Sequence, residues 1–267
     1  MDLPGEHRIL TCFDALEGLT EQFDDPNRSA DSVPSLQLEL GPLAELLVLR
    51  RHWRMQGKKL RLNGIGDARY AAIRAAFEPG ASPVQFGPRV GAFQIRGSGE
   101  AVDLAGHDFA MVAGRCAQEA GMPDGAARLI KGAFAELIGN VSEHAGDNTN
   151  GIAVYDLSRN AMWLAVADAG QGIVRGYVSN APEIADLEAA TALGWAVVDH
   201  RSRFCEPGRG TGFSTVMRAM LTLDAALRVR SDDASIEIEG VSSGSNWVVR
   251  DQDMFTGFVV SLHVRWR

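Results

Sequence analysis

Three short segments carry residues whose types and spacing could bind a nucleotide. They are residues 136–146, residues 168–173 (Asp-Ala-Gly-Gln-Gly-Ile) and residues 208–213 (Gly-Arg-Gly-Thr-Gly-Phe). The second segment offers a carboxylate that could accept a hydrogen bond from an exocyclic amino group, and its glycines let the backbone approach a ligand. The third segment precedes a predicted helix, whose free N–H groups and positive dipole end suit phosphates.

The first segment places four polar side chains on one face of a predicted helix: Glu136, Asn140, Glu143 and His144. At about 100° per residue, Asn140 lies about 40° from Glu136 and His144 about 80°. Such residues are poor candidates for a buried stripe, because burying unpaired polar groups costs on the order of several kcal/mol. The stretch is therefore either the wall of a polar site or the solvent face opposite the apolar side of the helix. Spacing alone leaves both interpretations open.

The hydrophobic pattern predicts the elements that position these segments. Helices are expected over residues 109–120, 124–145 and 212–222, and a short helix over 183–198. Strands are expected over residues 151–157, 161–167, 226–230, 235–239 and 258–266, the first two forming an antiparallel hairpin. Helices on one face of a mixed, mostly antiparallel sheet would give a two-layer α/β sandwich over residues 101–267.

The N-terminal 100 residues have a pattern that differs from that of residues 101–267. Residues 1–33 read as an irregular segment, and residues 34–100 as a small α/β domain followed by a connector rich in proline and glycine. The expected elements of this domain are strands over 35–40 and 59–62, and helices over 42–54 and 70–77. Residues 35–78 loosely resemble the sulfate-transporter and anti-sigma-antagonist domain, a partner-binding module.

Composition excludes several classes of protein. The formal net charge is −8, with 34 acidic against 26 basic residues, so no nucleic-acid partner is expected. The three cysteines, Cys12, Cys116 and Cys205, have no metal-ligand or disulfide spacing and fit a reducing compartment. No apolar run is long enough for a membrane helix, so a cytoplasmic protein is expected.

The chain resembles the ATPase superfamily of gyrase, heat-shock chaperones, histidine kinases and mismatch-repair proteins. The resemblance rests on three motifs in the same order: the helix with Glu136 and Asn140, the DxGxG box after a strand, and the GxGxG box before a helix. The resemblance covers residues 105–267. It implies the Bergerat ATP-binding fold and, as cofactors, ATP and Mg²⁺. The region 173–207 would then be a mobile lid over the nucleotide, in which Trp195 and Phe204 would pack.

The resemblance also implies roles for individual residues. Asn140 would ligate the Mg²⁺ that bridges the ATP phosphates, and Glu136 would be the catalytic base. Asp168 would accept the adenine amino hydrogen. The other residues expected to bind the cofactor are His144, Gly170, Gly172, Ile173, Gly208, Arg209, Gly210, Thr211 and Gly212. For His144, capping of the helix C-terminus is nearly as good an interpretation. The pair Thr256-Gly257 is a further candidate for contact with phosphate or adenine, in which Thr256 is the weaker member because the Gly/Thr order of the family is reversed here.

The same resemblance also indicates which branch of the ATPase superfamily the chain is most similar to. Only 33 positions separate His107 from Asn140, too few for the phosphoacceptor hairpin of a complete histidine kinase. The form is closest to kinases of anti-sigma factors, which implies a regulatory protein that hydrolyses ATP or transfers phosphate to a partner. That partner would be a regulator or a sigma-type factor, and the chain would form a homodimer. The alternative is a non-catalytic nucleotide sensor that controls dimerisation or partner binding.

Overall fold

The computed structural model describes residues 13, 16, 39–55, 73, 84–85, 87–144, 150–198, 211–240 and 246–267. The helices in this part are α1 (Leu40–Met55), α2 (Glu100–Glu119), α3 (Asp124–His144), α4 (Ile173–Val178), α5 (Ala189–Val197) and α6 (Thr211–Thr222). The strands are β1 (Val84–Gln85), β2 (Val90–Arg96), β3 (Asn150–Leu157), β4 (Ala161–Asp168), β5 (Asp224–Glu239) and β6 (Asn246–Arg265). The α/β class predicted from the sequence is confirmed.

The strands form one six-stranded sheet in the order β1-β2-β3-β4-β6-β5. The β3–β4 hairpin is present as predicted, with Gly151 opposite Asp168 and Leu157 opposite Met162. Every strand pair in the described residues is antiparallel, so the expectation of a mixed sheet is wrong there. The two strands predicted over 226–239 are a single strand, β5, whose register with β6 shifts on either side of Asp232.

One face of the sheet is covered by α2, α3, α5 and α6. Alternation along each strand directs apolar side chains into this layer, and α3 meets them with a stripe at helical spacing that includes Phe134, Leu137, Ile138 and Val141. Aromatic rings fill the centre, where the Phe109 ring lies 5.7 Å from Phe134 and 5.5 Å from Tyr155. The predicted helix over 124–145 is confirmed as α3, and its apolar side is its core side.

The opposite face of the sheet carries α1, which packs on β3, β4 and β6. The one-sided arrangement predicted for residues 101–267 did not include this helix, which belongs to the N-terminal part of the chain. Its apolar stripe buries Leu40, Leu43, Leu46 and Leu49 against the second face. The contact is close: a Cβ on Gly41 would lie 2.8 Å from the Trp163 ring. Residue 40, predicted to end a strand over 35–40, instead begins a helix. Residues 35–38 of that predicted strand, and the strand predicted over 59–62, lie outside the described residues.

A buried ionic cluster joins α1 to β5. Glu45 of α1 is fully buried and accepts hydrogen bonds from Arg230, at 2.6 Å, and from Arg228, at 3.2 Å. Arg228 also pairs with Glu237, which in turn accepts from Arg250. Opposite charges offset the cost of burial here only because each carboxylate meets guanidinium donors. Sequence analysis did not identify this cluster, since alternating Arg residues on a strand are typical of a solvent-facing side.

The segment predicted to be a connector contains β1 and β2. Strand β2 pairs with β3 along its whole length, from Val90 opposite Asp156 to Arg96 opposite Asn150. The described part of residues 34–100 thus shares the sheet with the rest of the chain, while the predicted domain boundary itself stays a prediction. Among the helices that the structure describes, none combines the length and the apolar character needed to cross a membrane.

Candidate functional site

Asp168 lies at the end of β4 and is the focus of the site. Its side chain is 6% exposed, and its Oδ1 accepts a hydrogen bond of 2.7 Å from the Gly170 N–H. Burial raises the pKa of Asp168 to about 7, and the Gly170 N–H only partly opposes this. A ligand that donated a hydrogen bond to this carboxylate would favour its charged form. The arrangement suits recognition of an amino group.

Helix α3 packs against Gly151, next to Asp168. Gly151 is the cross-strand partner of Asp168, and a Cβ at this position would lie 2.5 Å from Cγ1 of Val141. Because α3 passes so close to β3 here, Val141 and its neighbour Asn140 lie at the same end of the sheet as Asp168. The first and second sequence segments are thus brought together.

The third segment, residues 208–213, lies near Asp168 because it leads into α6. The Phe213 ring packs edge-on against Phe258, with ring centres 6.1 Å apart, and Phe258 is the partner of Asp168 on β6. Thr211 and Gly212, the first two residues of α6, immediately precede Phe213. The start of α6 is therefore close to the strand end that carries Asp168. Gly208, Arg209 and Gly210 lie outside the described residues.

Glu136 and Asn140 lie on the side of α3 that continues toward α6. One turn earlier, Gly132 faces α6, where a Cβ would lie 3.6 Å from the Thr215 methyl group. Both side chains are half-buried, and a Cβ on the adjacent Gly139 would meet no atom within 4 Å. Among the described residues, the space beside Gly139, the chain neighbour of Asn140, is therefore open. His144 is the last residue of α3, and its side chain lies outside the described part.

Helix α4 begins at Ile173, directly after Gly172. Gly172 has a φ of 76° and precedes the helix, and a Cβ there would lie 2.5 Å from Oδ1 of Asp232. Only glycine combines this left-handed conformation with such close contact. The Ile173 N–H donates to Ser231 Oγ, so the turn after Asp168 is attached to β5.

Gly257 forms the remaining side of the site. It has a φ of 148°, and a Cβ on it would lie 2.3 Å from the carbonyl oxygen of Asp168 and 2.6 Å from the Phe255 ring. A residue without a side chain is required here because β6 passes directly beside the end of β4. Gly257 belongs to the candidate pair Thr256-Gly257 of the sequence. The side chain of Thr256 is outside the described part.

The described part of the predicted lid region contains α4, a 3₁₀ turn at Pro182–Ile184 and α5. The short helix expected over 183–198 is present as α5, which begins later, at Ala189. Helix α5 packs on β5, with Ala192, Leu193 and Val197 fully buried. Trp195 does pack, against Tyr177 of α4, with ring centres 5.7 Å apart. Residues 199–210, including Phe204, lie outside the described residues.

Two residues of this site were not indicated by the sequence: Ser231 and Asp232. Ser231 and Asp232 contact the turn after Asp168 from a strand 58 positions later in the chain. No local pattern encodes such a contact. The one available signal was the polar run Ser231-Asp232-Asp233 between the two strands predicted over 226–239.

Within the described residues, no three His, Cys, Asp or Glu side chains are grouped as a protein-only metal site would require. Comparison with known proteins finds no family model that matches the chain and no curated protein that matches it.

Proposed function

We propose that this chain is an ATP-binding regulatory protein of the Bergerat type, which hydrolyses ATP or transfers its phosphate to a hydroxyl group of a partner protein. The observation that carries the proposal is the convergence on Asp168. Val141 of α3 and Phe213 of α6 each contact a residue paired with Asp168, namely Gly151 and Phe258. Three segments far apart in sequence thereby supply a buried carboxylate, a polar helix face and a helix start.

The purine end of the ligand would lie at Asp168. The carboxylate would accept the amino hydrogen of adenine, while Gly170 and Gly172 leave space for the base. Discrimination against guanine follows, because guanine presents a carbonyl oxygen where adenine has its amino group, and two acceptors cannot form a hydrogen bond. The raised pKa of Asp168 is compatible with this role, since the amino donor would favour the ionised carboxylate.

The phosphate end would lie between α3 and the start of α6. Asn140 offers a neutral amide oxygen beside the open space at Gly139, which fits one ligand of a hydrated Mg²⁺ ion. Bound there, Mg²⁺ would neutralise phosphate charge. The first N–H groups of α6, at Thr211 and Gly212, have no partner within their own helix and are suited to phosphate oxygens.

Glu136 would act as the general base. It lies one turn before Asn140 on the same side of α3 and is half-buried. It would accept the proton of the attacking water or of a partner's hydroxyl. Partner proteins of the sigma-factor or regulator class, and a homodimer of the chain, belong to this same proposal.

Thermal unfolding with and without Mg-ADP tests the pocket. Ligand at a hundredfold excess over its Kd should stabilise the wild type by about 2.7 kcal/mol. Asn140→Ala and Asp168→Asn should lose most of this stabilisation, whereas Asn160→Ala, at the opposite end of β4, should retain it. An equal shift in the wild type and both site variants would contradict the assignment.

Phosphate release tests the chemistry separately from binding. Glu136→Ala should release phosphate at least about a hundredfold more slowly than the wild type while still binding Mg-ADP. Glu119→Ala, which removes an exposed carboxylate at the end of α2, is the matched control and should leave the rate unchanged. Equal, measurable rates for Glu136→Ala and the wild type would remove Glu136 as the base, whereas no phosphate release by a wild type that binds Mg-ADP would favour a nucleotide sensor.

A further inference from the structure

The turn after Asp168 is held by two adjacent residues of β5. Ser231 Oγ accepts from the Ile173 N–H at 2.9 Å, and Asp232 Oδ2 accepts from the Val174 N–H at 3.1 Å. These two N–H groups belong to the first residues of α4, where a helix has no internal acceptors. The Ser231–Asp232 pair thus caps α4 from a different part of the fold.

Ser231 also links this turn to the other side of the site. Its hydroxyl donates to the carbonyl oxygen of Gly257 at 2.5 Å, while the 3.3 Å separation from Asp232 is longer. Because Gly257 lies against the backbone of Asp168, one buried hydroxyl connects both segments that flank this carboxylate. A serine that only filled space would not need an acceptor and a donor role at once.

Asp232 has an unusual backbone for this task. Its φ of 54° is the one positive value of a non-glycine residue in the described part of the chain, and it lies where β5 shifts register against β6. Such a conformation costs on the order of 1 kcal/mol and persists where surrounding contacts hold it. Here the bulge turns the carboxylate toward α4, against Gly172, where no side chain intervenes.

We propose that Ser231 and Asp232 are the positioning residues of the adenine pocket, which hold the Gly170–Gly172 turn and the start of α4 in place against Asp168 and Gly257. The inference depends on the proposed function, because it assigns part of the nucleotide affinity to residues that do not touch the nucleotide. It extends that function by making the β5 bulge, rather than the DxGxG box alone, a determinant of binding.

Two measurements on Ser231→Ala test the proposal. Hydrogen exchange of the peptide 170–178 without nucleotide should become faster by about tenfold, because the Ile173 N–H loses its acceptor. The Kd for Mg-ADP, measured by calorimetry, should rise by about tenfold. Ser235→Ala is the matched control: it also removes a fully buried hydroxyl from β5, but one without a hydrogen-bond partner in the described residues. It should change neither quantity.

Asp232→Asn provides a second variant if Ser231→Ala does not fold. Asparagine tolerates the left-handed conformation and keeps an acceptor but loses the charge, so exchange and Kd should both change in the same direction by about threefold. Asp233→Asn, an exposed neighbour, should behave as the wild type.

Two results would count against the proposal in distinguishable ways. If the wild type binds no Mg-ADP, the proposed function fails and the positioning role fails with it. If the wild type binds and folded Ser231→Ala shows either unchanged exchange or an unchanged Kd, the positioning role alone is overturned.

Discussion

At the residue scale, a single carboxylate is surrounded by positions without side chains. Gly151 and Gly257 lie beside Asp168 where any Cβ would meet neighbouring atoms at 2.5 Å or less, and Gly172 lies equally close to Asp232. These glycines bring three backbone segments to one buried carboxylate. Ionising such a group without an ionic partner among the described residues is costly, and that cost is typical of binding sites.

Asp168→Asn is expected to separate stability from function. The pKa of about 7 exceeds the ordinary value of 3.8 because of burial. The unfolded chain therefore loses this proton first as pH rises, and the free energy of unfolding falls between about pH 4 and pH 7. Asp168→Asn should remove this fall and be more stable than the wild type at pH 8, by at most about 4 kcal/mol.

Urea unfolding of both proteins at pH 5 and pH 8 measures this difference. The variant's advantage should appear at pH 8 and shrink at pH 5, while Asp186→Asn, in an exposed segment, should show no such dependence. A stability difference that does not vary with pH would contradict the assigned pKa.

Gly257→Ala tests the close approach of β6 to Asp168. The new methyl group would lie 2.3 Å from the Asp168 carbonyl oxygen, so the variant should lose more than about 3 kcal/mol of stability. Gly240→Ala is matched, since Gly240 also has a positive φ, of 61°, but open space around it. It should lose only about 1 kcal/mol. Similar losses measured by chemical denaturation would show that space at Gly257 is not limiting.

At the element scale, local pattern predicted the elements whose burial is regular. Helix α3 and the β3–β4 hairpin were found because their apolar residues recur at helical spacing or fill a buried strand. Strand β2 was missed because glycine and proline before it indicate a loop, and its partner β3 lies more than fifty residues later. Helix α5 was predicted to begin too early, because its burial against β5 is a tertiary contact, not a local one.

The contact between α1 and β5 leads to a prediction about Glu45. Burial raises its pKa, but the charges of Arg228 and Arg230 outweigh this and hold the pKa below the ordinary value of 4.5. Glu45→Gln leaves both arginines buried without a carboxylate, so the variant should lose about 3 kcal/mol at pH 7. Glu119→Gln, at an exposed position at the end of α2, should change stability by less than about 0.5 kcal/mol.

The pH dependence of this contact follows from the lowered pKa. The stabilisation is present above pH 4.5 and is lost as pH falls through the folded-state pKa of Glu45. Acid titration of unfolding should therefore bring the wild type closer to Glu45→Gln below pH 4.5. A constant gap between the two proteins across that range would contradict the assignment.

At the scale of the whole molecule, one antiparallel sheet separates two different interfaces. The layer of α2, α3, α5 and α6 forms the candidate site at the end of β4, and α1 covers the other face with a buried ionic cluster. The sequence indicated the first interface because its residues form contiguous motifs. It did not indicate the second, because Glu45 and Arg228 are 183 positions apart. Nor could it indicate how Ser231 and Asp232 join the site.

The most direct test of the account is calorimetric titration with Mg-ADP and, separately, Mg-GDP. The wild type should bind one Mg-ADP per chain and Mg-GDP at least about tenfold more weakly, because Asp168 accepts from an amino group that guanine lacks at that position. Asp168→Asn should weaken Mg-ADP binding by at least about tenfold, while Asn160→Ala should bind as the wild type does. Absence of binding by the wild type, or an Asp168→Asn variant with unchanged affinity, would contradict an adenine-nucleotide site at Asp168.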